Sequence, residues 1–399
     1  MIKNISIEEL SLGMYIIGIK TSNGNLGVKK KGILKSESTI QSLKSAGVEF
    51  VEVDIAKSNR AEQQILEKLT HCDSTEHNTS TNIDEHYSIK KIERAEKLYA
   101  KTFDVKAQFI KELTTGNKPD FSALSNASQD ICIDIHNNEN ALSCLVMLQE
   151  SSNYLIERCV KTSMLLCLFA KQMGFDQEKI ENVTMSGLLM DCGMSLLPKE
   201  IVGPGAKLNA SDDVLLRTHI DIGYEIAERF SDLPEMLLDI ISNHHERADG
   251  SGYPKQKLKQ DISLVAQMAG LVDAYLDCLY GTNKQQKMRP QQALDMLLSN
   301  QCHAHELINE FIIALGVYPV GSLVCLQSNR IAMVLFKNKT DPLLPKVMVF
   351  YDVKNQSYCS PEEIDLATQQ DDPIIDSVNP EVFDLDLSRF LKSAFTLPN

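Results

Sequence analysis

A chain of 399 residues and 44.6 kDa exceeds the size at which one core usually keeps growing, so two or three folding units are expected. Apolar residues at 43% and charged residues at 24%, with 19 Gly and 13 Pro, exclude a low-complexity or largely disordered protein. A formal net charge of -14 and a pI near 5.2 argue against DNA, RNA or an anionic membrane surface as general partners, while a small phosphate ligand stays open wherever bound cations invert the local field.

Along the chain, Met1-Ile2-Lys3-Asn4-Ile5-Ser6 has no long apolar core and is soon followed by Glu8 and Glu9, which argues against a signal peptide. Residues 1–57 read as a small α+β module, with alternation over residues 14–19, an Asn23-Gly24 turn, a helical stretch over 38–46 and a strand over 49–53. Lys29-Lys30-Lys31 reads as a solvated turn. Residues 58–88 turn to Ser, Thr, Asn, His and acidic residues, a linker with few apolar groups to offset ordering. Its His71, Cys72, His77 and His86 read as chance composition. From residue 89 the helical period is nearly continuous, giving connecting helices over 89–150 and a helical core over 151–318. Asp176 fits an N-cap, Pro234 and Pro290 fit first-turn positions, and Gly174 and Gly316 fit C-caps. Beyond Pro319, apolar runs at 323–326, 331–336 and 347–350 between turn residues predict a β meander in the segment 319–399. The apolar stretch 311–326 is broken by Gly316, Pro319, Gly321 and Ser322, so it reads as a helix end and a strand, not a membrane span. Ten cysteines without a CxxC pair, Cys144, Cys167, Cys278 and Cys325 among them in apolar runs, read as buried free thiols of a reducing compartment, the cytoplasm.

The strongest chemical signal is His244-His245-Glu246-Arg247-Ala248-Asp249-Gly250-Ser251-Gly252-Tyr253-Pro254, at the end of a helix that begins near Pro234. Adjacent helical residues point about 100° apart, so two imidazoles can meet one ion only where the helix terminates. The glycines and proline that follow supply that turn. Neutral imidazoles suit Fe, Mn, Zn or Ni, and carboxylates broaden the choice toward hard ions. His303-Ala304-His305 is a weaker pair, because alternate helical positions face apart, and it reads as surface histidines.

The segment from His244 resembles the bacterial HD-GYP family, a branch of the HD phosphohydrolases, and the resemblance runs from about residue 151 to residue 352. Ala314-Leu315-Gly316-Val317-Tyr318-Pro319-Val320-Gly321-Ser322-Leu323-Val324 is similar to that family's exit into C-terminal strands. Leu12-Gly13-Met14-Tyr15 is similar to a small domain often found in front of it. The resemblance implies a mainly α fold: an HD-type helical bundle with a small α+β module before it and a short β meander after it. It also implies two or three metal ions and hydrolysis of cyclic di-GMP to linear products.

Position by position, this sequence departs from the family. The helix that normally carries a first histidine reads Glu157-Arg158-Cys159-Val160, so Arg158 stands in that ligand's place. The signature His-Asp-Ile-Gly-Lys stands as Met190-Asp191-Cys192-Gly193-Met194, with both histidine and lysine replaced by methionine. Later ligands are kept as His219, His244, His245 and Asp273. By resemblance, one metal uses the first histidine, the His-Asp pair and the late aspartate, and here it retains only Asp191 and Asp273. The neighbouring site, Asp191 with His219, His244 and His245, is complete. Where the family has Arg-x-Tyr-Lys, Thr282 and Lys284 fall at the Arg and Tyr positions, which removes the bidentate grip on phosphate and leaves Lys284 and Lys287 as point charges.

Hydrolysis by paired cations depends on both, and losing one removes several kcal/mol of stabilisation, roughly three decades in rate. The expectation is a degenerate HD-GYP-type signalling protein with lost or residual activity, a regulatory or sensor role and at most one divalent transition metal ion. The alternative is an active phosphodiesterase, in which Asp191 is the catalytic bridging carboxylate, or a hydrolase of another substrate. Cyclic di-GMP and proteins of bacterial signalling are the partners implied, and a homodimer is left open. For Arg158 two placements compete: a guanidinium filling the gap between Asp191 and Asp273, or a rotated helix with Arg158 in solvent and Cys159 facing inward.

Overall fold

The computed structural model describes residues 2–7, 15–21, 24–26, 32–33, 43–44 and 48–54 of the N-terminal part, then 89–148, 153–204, 206–230, 233–282, 285–338, 340–369, 371–383 and 385. The polar stretch 58–88 with its histidines, and Lys29-Lys30-Lys31, lie outside the described residues. The chain divides into two compact units, Met1–Ser80 and Thr81–Asn399.

In the first unit, strands β1 (Ile2–Ser6), β2 (Tyr15–Thr21), β3 (Gly24–Leu26), β4 (Gly32–Ile33) and β5 (Val48–Asp54) form an antiparallel sheet. Its order is β1-β5-β2-β3, with β4 also on β2. Ile16, Val48 and Val51 are buried in it, and Leu43 and Lys44 are helical.

The second unit is mainly helical. Its helices are α1 (Ile89–Thr114), α2 (Phe121–Leu148), α3 (Tyr154–Gln172), α4 (Gln177–Leu189), α5 (Ala210–Arg217), α6 (His219–Glu228), α7 (Glu235–Asn243), α8 (Leu264–Tyr280), α9 (Pro290–Ser299) and α10 (His305–Leu315). On α1 the buried residues Ile92, Ala95, Tyr99, Thr102, Lys106 and Phe109 recur at spacings of three and four, one stripe that meets α2, α3 and the short 3-10 turn Cys192–Leu196. α3 is buried continuously from Ile156 to Ala170 and packs against α1, α2, α4, α8 and α10. A helix so enclosed must find partners for its polar side chains Glu157, Arg158 and Lys161, because an unpaired buried charge is costly. Asp176 caps α4 through the Lys179 amide, Pro290 opens α9, and Gly174 and Gly316 adopt φ of +69° and +92° at helix ends, whereas Pro234 sits just before α7 as its N-cap. α2 bends at Asn138, whose φ of -148° leaves the helical range and whose amide donates to Lys91 O.

Strands β6 (Leu323–Leu326), β7 (Arg330–Phe336), β8 (Lys346–Asp352), β9 (Ser357–Asp365) and β10 (Ile374–Val378) close the unit as an antiparallel sheet in the order β10-β6-β7-β8-β9. The meander is thus two strands longer than the sequence suggests. Val324, Ile331, Met333, Val347 and Phe350 form its core, which also takes in Cys144 of α2. Gly321, at φ +91°, makes that junction: a Cβ there would lie 2.7 Å from Cys144 Cα. Among the described residues no helix is long and apolar enough to cross a membrane, and the described cysteines are free, Cys325 half-buried rather than buried.

Candidate metal centre

Four elements deliver the site. α4 ends at Leu189, and the chain passes through fully buried Met190 into Asp191 and the 3-10 turn. That turn runs hard against α6, since a Cβ on Gly193 would stand 2.0 Å from His219 O, so only glycine lets Asp191 and His219 come together. α7 ends at Asn243, with His244 as its C-cap and His245 just beyond, and the two rings face one region with centroids 4.2 Å apart. The helix therefore terminates where adjacent histidines need it to.

The Asp191, His219, His244 and His245 side chains each place a ligand-type atom within 4.8 Å of the others, all buried. Backbone carbonyls fix two of the imidazoles. His219 Nδ1 lies 2.6 Å from Leu216 O, and His244 Nδ1 lies 3.0 Å from Ile241 O, so each Nδ1 donates and each Nε2 faces Asp191 Oδ1, at 3.8 and 3.5 Å. His245 Nδ1 sits 3.3 Å from Asp273 Oδ2, its ring stacked on Tyr253 at 4.6 Å, and the Arg217 guanidinium lies 4.4 Å from the Tyr253 ring centre. Burial pushes His219 down and His245 down to about 3, keeping both neutral, while in His244 the Asp191 carboxylate outweighs burial and raises it. Both Asp191 carboxylate oxygens and the Nε2 atoms of all three histidines are buried with no hydrogen-bond partner. Buried lone pairs converging unpaired are unfavourable unless a cation lies among them, so these residues fit a metal ion.

Beside this cluster, Arg158 is 3% exposed. Its guanidinium donates to the Asp273 carboxylate and, at 3.3 Å, to Asp273 O. It lies 3.5 Å from Asp191 Oδ2 and 2.9 Å from Asp277 Oδ1, and donates to Tyr154 Oη at 3.1 Å. Burial would raise the Asp191 and Asp273 carboxyls; histidine and the Arg158 charge hold both below the usual carboxylate range. Arg158 and Cys159 are both buried, so the solvent-facing placement is not what the helix adopts.

Residues 143–305 match the HD domain family, residues 2–124 a domain of unknown function, and residues 323–385 a KOW domain associated with HD domains. A cyclic di-GMP phosphodiesterase of Pseudomonas aeruginosa is 25% identical over 370 residues, covering 92% of this chain and 89% of that protein. The chain thus carries an HD domain and is similar to cyclic di-GMP phosphodiesterases. Against a cyclic di-GMP phosphodiesterase of Borreliella burgdorferi this chain is 24% identical over 207 residues and spans about half that protein's length, 54%. A solved HDG"Y"P protein from Bdellovibrio bacteriovorus aligns at 16% identity with a TM-score of 0.47, covering 78% of this chain and 98% of that one.

Of the positions singled out by sequence, Asp191, His219, His244 and His245 converge, and Asp273 sits behind them between Arg158 and His245. Met194 is half-buried in the 3-10 turn. Thr282 bridges back to Gln285, Lys287 is exposed, and Lys284 lies outside the described residues. His303 is buried rather than a surface residue, because it precedes α10 and tucks inward, whereas His305 is exposed. Sequence reasoning missed Tyr154, Asp277 and Arg247, which lies 3.6 Å from Asp273 Oδ2. The first two stand four residues from Arg158 and Asp273, a spacing that signals a shared helix face.

Proposed function

We propose that this protein is a degenerate HD-GYP signalling protein that holds at most one divalent transition metal ion, of the Fe, Mn, Zn or Ni class, and has lost all but residual hydrolase activity. The observation that carries the reading is the Arg158 guanidinium, bonded to Asp273 and 3.5 Å from Asp191. It supplies positive charge between the two carboxylates that, by resemblance, would hold the first ion. Asp191, His219, His244 and His245 would hold the remaining ion, and Asp273 would orient His245 from behind. A bound ion would supply Lewis acidity toward a phosphoryl oxygen. This chain's own residues bind and orient: carbonyls of α5 and α7 keep Nε2 of His219 and His244 turned inward, and Tyr253 fixes the plane of His245. The ligand class follows the relatives, which are cyclic di-GMP phosphodiesterases. With threonine at position 282, phosphate contact falls to the point charges of Lys284 and Lys287.

Elemental analysis of protein purified without chelators should find about one transition metal per chain, and about two would overturn the reading. The complete four-residue cluster favours a second reading, an active one-metal phosphodiesterase. Production of linear dinucleotide from cyclic di-GMP with added Mn or Fe, abolished by Asp191→Asn, would establish that reading instead. Cyclic di-GMP that binds in calorimetry without being cleaved marks the sensor role.

A further inference from the structure

Away from the metal cluster, two thiols meet inside the helical core. Cys132 of α2 and Cys167 of α3 lie with their sulfur atoms 3.6 Å apart, the Cys167 thiol donating to Cys132 Sγ. Cys132 Sγ is also 3.4 Å from Thr184 Oγ1 of α4, so three helices converge on the pair. A disulfide has an S–S distance of about 2.05 Å, so the sulfurs need to close by roughly 1.5 Å, a movement within reach of side-chain rotation between helices already packed together.

The two sulfurs are not equivalent. Cys167 is 1% exposed, whereas Cys132, at 6%, lies at the rim of the buried face of α2, beside exposed Gln129, Ile133 and His136. The hydrogen bond from Cys167 holds the Cys132 thiol below its ordinary value, while burial pushes the Cys159 and Cys192 thiols up to about 11. A thiolate is the form that attacks an oxidant, so the more accessible member of the pair is also the more reactive one.

We propose that Cys132 and Cys167 are an oxidative modification site, a peroxide-reactive pair that closes to a reversible disulfide between α2 and α3. The Cys132 sulfur attacks one oxygen of hydrogen peroxide, the O–O bond breaks and water leaves, giving a sulfenic acid on Cys132. The Cys167 sulfur then attacks the Cys132 sulfur, the S–O bond breaks, and a second water leaves with the Cys167 proton. Two thiols thereby lose two electrons, and one peroxide is reduced to two waters. A dithiol that stays reduced in a reducing compartment and bridges transiently is the usual arrangement of a redox-sensing pair there. The pair includes none of the four clustered metal-ligand candidates and does not depend on how that centre is read.

Treatment of the folded full chain with hydrogen peroxide, followed by alkylation and peptide mass mapping, tests this. The expected product is about 2 Da lighter, has lost two alkylatable thiols, carries a peptide cross-linked between Cys132 and Cys167, and returns to the parent with dithiothreitol. Cys167→Ser should stop the reaction at Cys132 and leave a dimedone adduct there, whereas Cys132→Ser should leave Cys167 unreacted. Absence of the cross-linked peptide from the treated parent overturns the proposal, whether the pair stays reduced or another cysteine is oxidised in its place. So does a cross-link that forms only when the chain is unfolded in urea. A Cys167→Ser chain that gives no adduct on Cys132 overturns the assignment of Cys132 as the attacking thiol. The parent protein alone decides whether the pair reacts, so a variant that fails to fold leaves the test intact.

Discussion

Arg158 is a cation where the family resemblance places a ligand for a cation, and the exchange has a clear electrostatic logic. Asp191 and Asp273 are buried, and two such carboxylates without a neutralising partner would each lose the solvation that makes ionisation affordable. Removing one member of a buried charge network leaves the others unpaired, so Arg158→Ala should destabilise the protein by about 3–5 kcal/mol in chemical denaturation. A variant as stable as the parent would sink the replacement idea. Arg158→His with Met190→His should instead raise metal content from about one to about two per chain by elemental analysis. Much of this site was legible in the sequence because ligand residues carry their chemistry in their identity: a His-His pair at a helix end and an Asp after a buried Met are readable one position at a time. Tyr154 and Asp277 were not, because a tyrosine or aspartate four residues along a helix acquires meaning only once its neighbour is known to be an inward-facing arginine.

At the scale of elements, the bend in α2 presents Glu139 to two lysines from distant parts of the chain, Lys171 of α3 at 3.0 Å and Lys337, just after β7, at 2.8 Å. Burial raises this carboxyl, but the two ammonium groups outweigh it and hold it below its ordinary value. A depressed folded-state pKa means the pair's stabilisation is present above the unfolded value, near 4.3, and is lost as pH falls through the lower folded value. The Glu139 side chain is 30% exposed, so solvent screening limits the effect to about 1 kcal/mol. Glu139→Gln should therefore cost about that much at pH 7, and the difference from the parent should shrink steadily as the solution is acidified; a difference that does not depend on pH would refute the assignment. The sheet on the other side of this contact shows where strand reading fails. β6, β7 and β8 announce themselves as apolar runs because the middle of the sheet is buried. β9 carries Pro361, Glu362 and Glu363, a composition that reads as loop yet suits an edge strand, where one side of the ladder needs no donor and charge discourages further pairing.

For the whole molecule, the polar composition of residues 58–88 leads to a separable N-terminal module. Limited proteolysis is expected to cut between Ala56 and Tyr87 and leave a stable fragment that includes residues 151–352; resistance throughout that stretch would count against the boundary. The chain also contains no tryptophan, so its intrinsic emission comes from eleven tyrosines. One of these, Tyr253, lies face to face with His245 at 4.6 Å, nearly parallel at 15°. A paramagnetic ion bound at His245 would sit within quenching distance of that ring. The phenol that braces the imidazole thereby becomes an optical gauge of occupancy: addition of Mn to chelator-treated protein should dim tyrosine emission by a small, saturable step, and Tyr253→Phe should remove the step while the ion still binds.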